Sequence, residues 1–334
     1  MGKNVLLPLL LVFLLAVSFS SCGREQTSGL PMKVGRYYWP GMYWVEIADR
    51  KGWFKEAGLA VELIDTNHDY YASLQTMAAG GMDAHSCYLY DLMRLVAAGA
   101  DLVMVVNTDM SFGSEGMAAK RSIDSVRKLR GKRIGLTRGT TLEFELHEVL
   151  SRNGLTLDDV EIVDMPAEKS VGEFVAGSVD AILAWEPLVG EAIAKGNGIK
   201  LFDTSEIQGI SPAGYIFHKS FIDRRPGDVR AFLRVWRRTT EYISENPAES
   251  YGIIAGIYNK SIAEVGEFTR IDKILDLADN LLRFKHSQGF ESLAGTSDRI
   301  NRYMLKNRIL EQELDHAKFL DGSFVTKLDN GLLP

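Results

Sequence analysis

The most chemically pointed stretch of the chain is Thr137-Arg138-Gly139-Thr140-Thr141. It lies between a strand-like run, Lys132 to Leu136, and a helical stretch, Leu142 to Ser151. Free backbone N–H groups and the helix dipole make such a junction an anion site. Thr140 or Thr141 can cap the helix and also touch a bound molecule, and Gly139 permits close backbone approach. Arg138 could add a charge-assisted pair to a carboxylate, sulfonate or phosphate. The plainer alternative is an ordinary N-cap with a solvated Arg138.

Three further clusters follow strand-like runs. After Met32 to Tyr37 come Tyr38, Trp39, Pro40 and Gly41. Aromatic faces there can cover a ring or alkyl chain, while Trp N–H and Tyr O–H can donate to polar atoms. Tyr43 and Trp44 fall on the helical stretch that follows and belong to the core, which leaves Trp39 and Pro40 for a site. After Asp83 to Ser86 come Cys87 and Tyr88; Ser86 could donate a hydroxyl hydrogen bond, whereas Cys87 suits a small buried apolar role. After Leu102 to Asn107 come Thr108 and Asp109, and Asp109 could bind an amine or cap a turn over Ser111 to Ser114. Trp185-Glu186-Pro187 follows Asp180 to Ala184. A Glu186 that points inward disfavours a small anion, which pulls against Arg138; a Glu186 that latches onto the other half of the molecule says nothing about ligand charge.

Other chemistries lack their residues. There is no phosphate-binding glycine loop, no dinucleotide fingerprint and no nucleophile elbow. The six histidines show no metal-ligand spacing, so no metal or cofactor is expected. The formal net charge of −6 gives no basic footprint for nucleic acid. The charge-rich stretch Arg299 to Lys318 reads as a solvated helix face.

The elements around these clusters alternate. Short β-type runs and longer amphipathic stretches recur through Phe202, the signature of α/β architecture. From Pro226 onward the pattern is nearly all helical, including Ile271 to Phe284. At the N-terminus, Val5 to Val17 is an apolar run too short to span a bilayer core and suits a secretory signal. The small residues Ser18, Ser20 and Ser21 before Cys22 resemble the bacterial lipobox, with Phe19 in the place of the usual Leu or Val. That resemblance implies cleavage before Cys22 and lipid on its sulfur, with 22–31 as a polar tether. Cys87 is then the lone remaining cysteine. About 310 residues remain, enough to fold as two lobes without a disulfide.

Four segments, in order, resemble one family of receptors. They are Lys51-Gly52-Trp53-Phe54-Lys55-Glu56-Ala57-Gly58-Leu59; Leu129-Arg130-Gly131-Lys132-Arg133-Ile134-Gly135; Asp180-Ala181 through Ala184-Trp185-Glu186-Pro187; and Asp321-Gly322-Ser323-Phe324-Val325. Together they look like the ABC-importer substrate-binding proteins for nitrate, sulfonates, taurine and thiamine-pyrimidine precursors. The resemblance implies a type II periplasmic-binding fold with extra C-terminal helices, a ligand held between two lobes, and closure by hinge motion. It places a signal peptide at 1–21, lobe one at 32–120 and 216–334, and lobe two at 121–215, with crossings near Ala118 to Ser122 and Ser211 to Phe217. It also implies a permease and an ATPase as partners and puts Trp185 on a cleft wall. An enzyme on the same fold, or a ligand sensor for a membrane signalling partner, are the competing expectations.

Overall fold

A computed structural model describes residues 27–329. The signal segment 1–21 and the lipidation candidate Cys22 lie outside the described residues. Eleven strands form two sheets. The first, in the order β11-β4-β10-β3-β1-β2, contains β1 (Met32–Arg36), β2 (Val61–Asp65), β3 (Ala84–Tyr88), β4 (Leu102–Ser111), β10 (Pro212–His218) and β11 (Asp272–Ile274). The second, in the order β7-β6-β8-β5-β9, contains β5 (Glu115–Lys120), β6 (Arg133–Leu136), β7 (Glu161–Asp164), β8 (Ala181–Trp185) and β9 (Gly198–Asp203).

Each sheet has a parallel part wound with helices and one inserted antiparallel strand. β1 runs parallel to β2 and β3, while β10 runs antiparallel to both β3 and β4. In the second sheet β6 is parallel to β7 and β8, and β5 is antiparallel to β8 and β9. All ten residues of β4 are buried. That is why Leu102 to Val106 reads as an unbroken apolar run: helices or other strands cover both faces.

The crossings differ from expectation. β5 was assigned to the first lobe, yet it pairs wholly within the second sheet, so the chain crosses at 112–114. The return crossing is 204–211, because β10 already belongs to the first sheet at Pro212. Both strands are buried over nearly their whole length, so the sequence does not mark which sheet they join; only the partners do. The two crossings are fastened together. Ser111 Oγ pairs with Ser114 Oγ at 2.6 Å and with Thr204 Oγ1, and Gly113 N–H donates to Thr204 Oγ1 at 2.9 Å.

A second correction concerns Ile271 to Phe284, expected as one helix. Asp272–Ile274 instead adds to the edge of β4. Asp276 then accepts from Asp279 N–H at 2.8 Å and starts the helix Leu277–Arg283 afresh. An N-capping aspartate inside an apolar pattern is a start signal that outweighs the periodicity. The C-terminal segment docks on β4 through Asn280, which accepts from Asn107 N–H and donates to Asn107 O, each at 2.8 Å.

Candidate functional site

The carboxyl ends of β1, β3 and β8 and the start of the helix Thr141–Arg152 converge between the sheets, where open α/β sheets hold ligands. They enclose a slot. Tyr37, Trp39, Met42, Ser86, Tyr88 and Ala213 wall it from the first sheet, together with Tyr70 and Tyr71 at the start of the helix Tyr70–Ala78. Glu115, Thr141, Leu142 and Trp185 wall it from the second. Counted with its open mouth the space is about 600 Å3, and its aromatic faces can cover a ring.

The first wall is braced from behind. Trp39 Nε1–H donates to Asp109 Oδ2 at 3.0 Å, and Asp109 Oδ1 accepts from Thr108 Oγ1 at 2.6 Å. Gly41 makes this possible, since a Cβ there would sit 1.9 Å from Asp109 Oδ1. Asp272 lies beside Asp109. Burial, then the charges of Asp109 and Glu115, push the Asp272 carboxyl far above its usual range. Tyr70 joins the wall to the strand behind it: its hydroxyl accepts from Tyr88 N–H at 3.1 Å and donates to Asp91 Oδ2 at 3.2 Å. Burial pushes Asp91 up to about 7.

The second wall contributes charge. Glu115 is fully buried and its carboxyl is held above the usual range by that burial, against hydrogen bonds from Ser111, Tyr88 and Ser114 that favour the ionised form. Tyr88 O–H donates to Glu115 Oε1 at 2.7 Å, a bond that spans the two sheets. Glu145, further along the helix, is pushed well above its usual range by burial and then by the Glu115 charge, and it accepts from Ser211 Oγ in the return crossing. No lysine or arginine lines the slot.

Of the residues singled out from sequence, Trp39, Ser86, Thr141 and Trp185 lie on the slot walls. Eight do not. Pro40 is buried in the turn beneath Trp39. Cys87 is fully buried and its Sγ–H donates to Tyr88 O at 3.3 Å, because alternate residues of β3 face opposite sides of the sheet. Thr108 and Asp109 lie inside β4, which runs on through Ser111, and act on Trp39 from behind.

The Arg138 segment is also corrected. Arg138 is exposed, 3.8 Å from Glu143 Oε1. Gly139 has φ +69° and its carbonyl accepts from Arg94 on the helix Leu89–Ala97, so it joins the lobes and does not face the slot. Thr140 Oγ1 donates back to Thr137 O at 2.7 Å and makes no side-chain cap. Glu143 Oε2 accepts from Gly139 N–H at 2.7 Å, and so supplies from within the chain the negative charge that an anionic ligand would bring. Glu186 lies at the outer mouth, where its Oε2 accepts from Gly190 N–H at 2.9 Å and its Oε1 is 3.8 Å from Lys200. Both of those partners are in the second lobe, so in this structure it does not latch the two lobes together.

The residues missed were Tyr37, Met42, Tyr70, Tyr71, Tyr88, Glu115, Leu142 and Ala213. Glu115 had a usable signal: a lone acid opening an otherwise apolar strand, Glu115-Gly116-Met117-Ala118-Ala119. Tyr70 and Tyr71 sit on a helix that carries no strand-end mark.

Two sheets, a double crossing and an aromatic slot at the strand ends define a two-lobed α/β binding fold. The sequence matches the NMT1/THI5-like family over residues 39–250, more than half of the chain, and the protein belongs to that family. It is 27% identical over 233 residues to a protein of Brucella abortus described as a binding protein, covering 68% of this chain and 71% of that one. It is 23% identical to a protein of Bacillus subtilis described as an aliphatic sulfonates-binding protein, over 98% of this chain and 97% of the relative. Among solved structures, the periplasmic aliphatic sulphonate binding protein SsuA from Escherichia coli superposes with a TM-score of 0.68 at 16% identity, covering 86% of this chain and 91% of that one. That likeness shows the type II periplasmic-binding fold.

Proposed function

We propose that the protein is the extracytoplasmic solute-binding component of a membrane importer, tethered through lipid on Cys22, and that it is a receptor with no catalytic turnover. It captures a small, flat organic molecule bearing N–H donors and delivers it to a permease driven by an ATPase. One observation carries the ligand class: the slot is aromatic on both sides and its carboxylate wall group is Glu115, with no lysine or arginine among the described residues that line it. A buried Glu115 carboxylate disfavours a sulfonate or nitrate beside it, Lys260 stands at the outer mouth, and Arg138 and Arg94 are both engaged elsewhere. A ring between Trp39 and Trp185, with its N–H groups donating to Glu115, gains contacts that the open form lacks, and so favours closure.

The test is a thermal-shift and calorimetric screen of the purified protein. The compounds are an aminopyrimidine thiamine precursor, riboflavin, taurine, alkyl and aryl sulfonates, nitrate and bicarbonate. A ligand at a hundredfold excess over its Kd adds about 2.7 kcal/mol of stability, a shift of a few degrees. A shift with the aminopyrimidine or flavin, and no consumption of it, is expected. A shift with sulfonates alone overturns the ligand class, and turnover of any compound overturns the receptor reading.

A further inference from the structure

A second concave site lies away from the slot. The C-terminal half of the helix Thr141–Arg152 and the helix Leu293–Lys306 face each other across an open groove of about 570 Å3. Arg152 lines it from one helix, and Arg299, Arg302 and Lys306 from the other. Arg152 and Arg299 both stack on Phe290, their guanidinium carbons 5.8 and 4.8 Å from the ring centre. This holds the two groups near each other. Buried Glu148 pairs with Arg299 Nη1 at 3.0 Å. Among the described residues no carboxylate lies within ion-pair distance of Arg152, Arg302 or Lys306. His147, held below its ordinary pKa by burial and then by Lys306, adds no charge at neutral pH.

The charge count sets the ligand class. Four cations against Glu148 leave three uncompensated among the residues that line the groove, in a chain whose net charge is −6. Arg299, Arg302 and Lys306 are three and four residues apart on one helix face, where like charges repel. The groove nonetheless concentrates Arg forks on both sides, with Glu148 the one acid among the described residues that line it.

We propose that the groove binds a phosphate-type anion, either a soluble phosphate compound or a phospholipid headgroup. The arginines would grip it bidentately. The groove also joins the lobes, since the helix Leu293–Lys306 packs on the first-lobe helix Leu89–Ala97 through Tyr303 and Tyr90, ring centres 6.0 Å apart.

The test titrates inorganic diphosphate into the purified protein by calorimetry, and in parallel measures co-sedimentation with phosphatidylglycerol against phosphatidylcholine vesicles. The variants are Arg302→Gln and Arg152→Gln, both at exposed positions, with thermal melts to show that each is folded. Diphosphate binding that weakens about tenfold or more in each variant supports a soluble source. A preference for phosphatidylglycerol that both variants lose supports the headgroup. Absence of both kinds of binding, or binding equal in parent and variants, overturns the proposal.

Discussion

The two walls of the slot are built differently. The first-sheet wall is deep and fixed: Trp39 is pinned by Asp109, Tyr70 is bonded fore and aft, and Gly41 makes room for the brace. The second wall is sparse. It offers Trp185 from the end of β8, two residues from a helix start, and Glu115 at the first residue after the crossing. A wall whose groups are already locked loses little entropy when a ligand arrives. Under the proposed function, the first lobe would recognise the ligand and the second would close and read polarity through Glu115.

The largest effect tests that asymmetry directly. Trp39→Ala should weaken the ligand that emerges from the screen by about a hundredfold, and Trp185→Ala by more than tenfold but less than that, in the range of central aromatic anchors. Calorimetry on the two variants decides it. Equal losses, or a larger loss at Trp185, would break the distinction between a recognising and a closing wall.

Gly41→Ala comes next. Its Cβ cannot coexist with Asp109 in place, so the brace must move and Trp39 with it. Stability should fall by about 1–3 kcal/mol, as overpacked interiors do, and ligand affinity should fall with it. A melt that drops while affinity holds would show that Trp39 needs no brace.

Tyr88→Phe is gentler. It removes the hydroxyl that donates to Glu115 across the lobes and leaves the ring in place. Losing a hydrogen bond to a charged partner costs about 1.5–3 kcal/mol, and ligand donors can replace part of it. A drop in affinity of about fivefold to tenfold is expected, carried mainly by faster dissociation, which stopped-flow fluorescence reads. An unchanged off-rate would remove this bond from closure.

Much of the fold was legible because α/β alternation leaves a period change at every junction, and the strand ends that carry Trp39, Ser86 and Trp185 follow from it. What escaped has physical reasons. Sheet membership of β5 and β10 depends on partners far along the chain, so the crossings were misplaced. Cys87 and Asp109 were misread because a strand end names a neighbourhood but not a face, and one residue of register decides between slot and core. Arg138 looked like an anion clamp by its position before a helix, yet Glu143, five residues on, already satisfies that helix end. Tyr70 reaches the slot by tertiary placement that no local pattern marks, whereas Glu115, a lone acid opening an apolar strand, leaves a mark that the strand-end rule does not weigh.

The smallest effect concerns protons, and it separates the walls once more. Asp91 underlies the first wall, and burial raises it from 3.8 to about 7. The native state therefore holds a proton that the unfolded chain has released over that interval. The stability linked to this group is fully present below about pH 4 and is lost as pH rises through about 7. Asp91→Asn keeps an oxygen that can accept from Tyr70 and has no charge to bury. The variant should match the parent at or below about pH 4 and melt higher than it near pH 8, which scanning calorimetry at the two pH values reads. If the parent's pH slope survives in Asp91→Asn, the titrating protons belong to the other buried carboxyls, Asp109 and Asp272 behind the first wall and Glu115 and Glu145 in the second, and Asp91 has no part in the acid response.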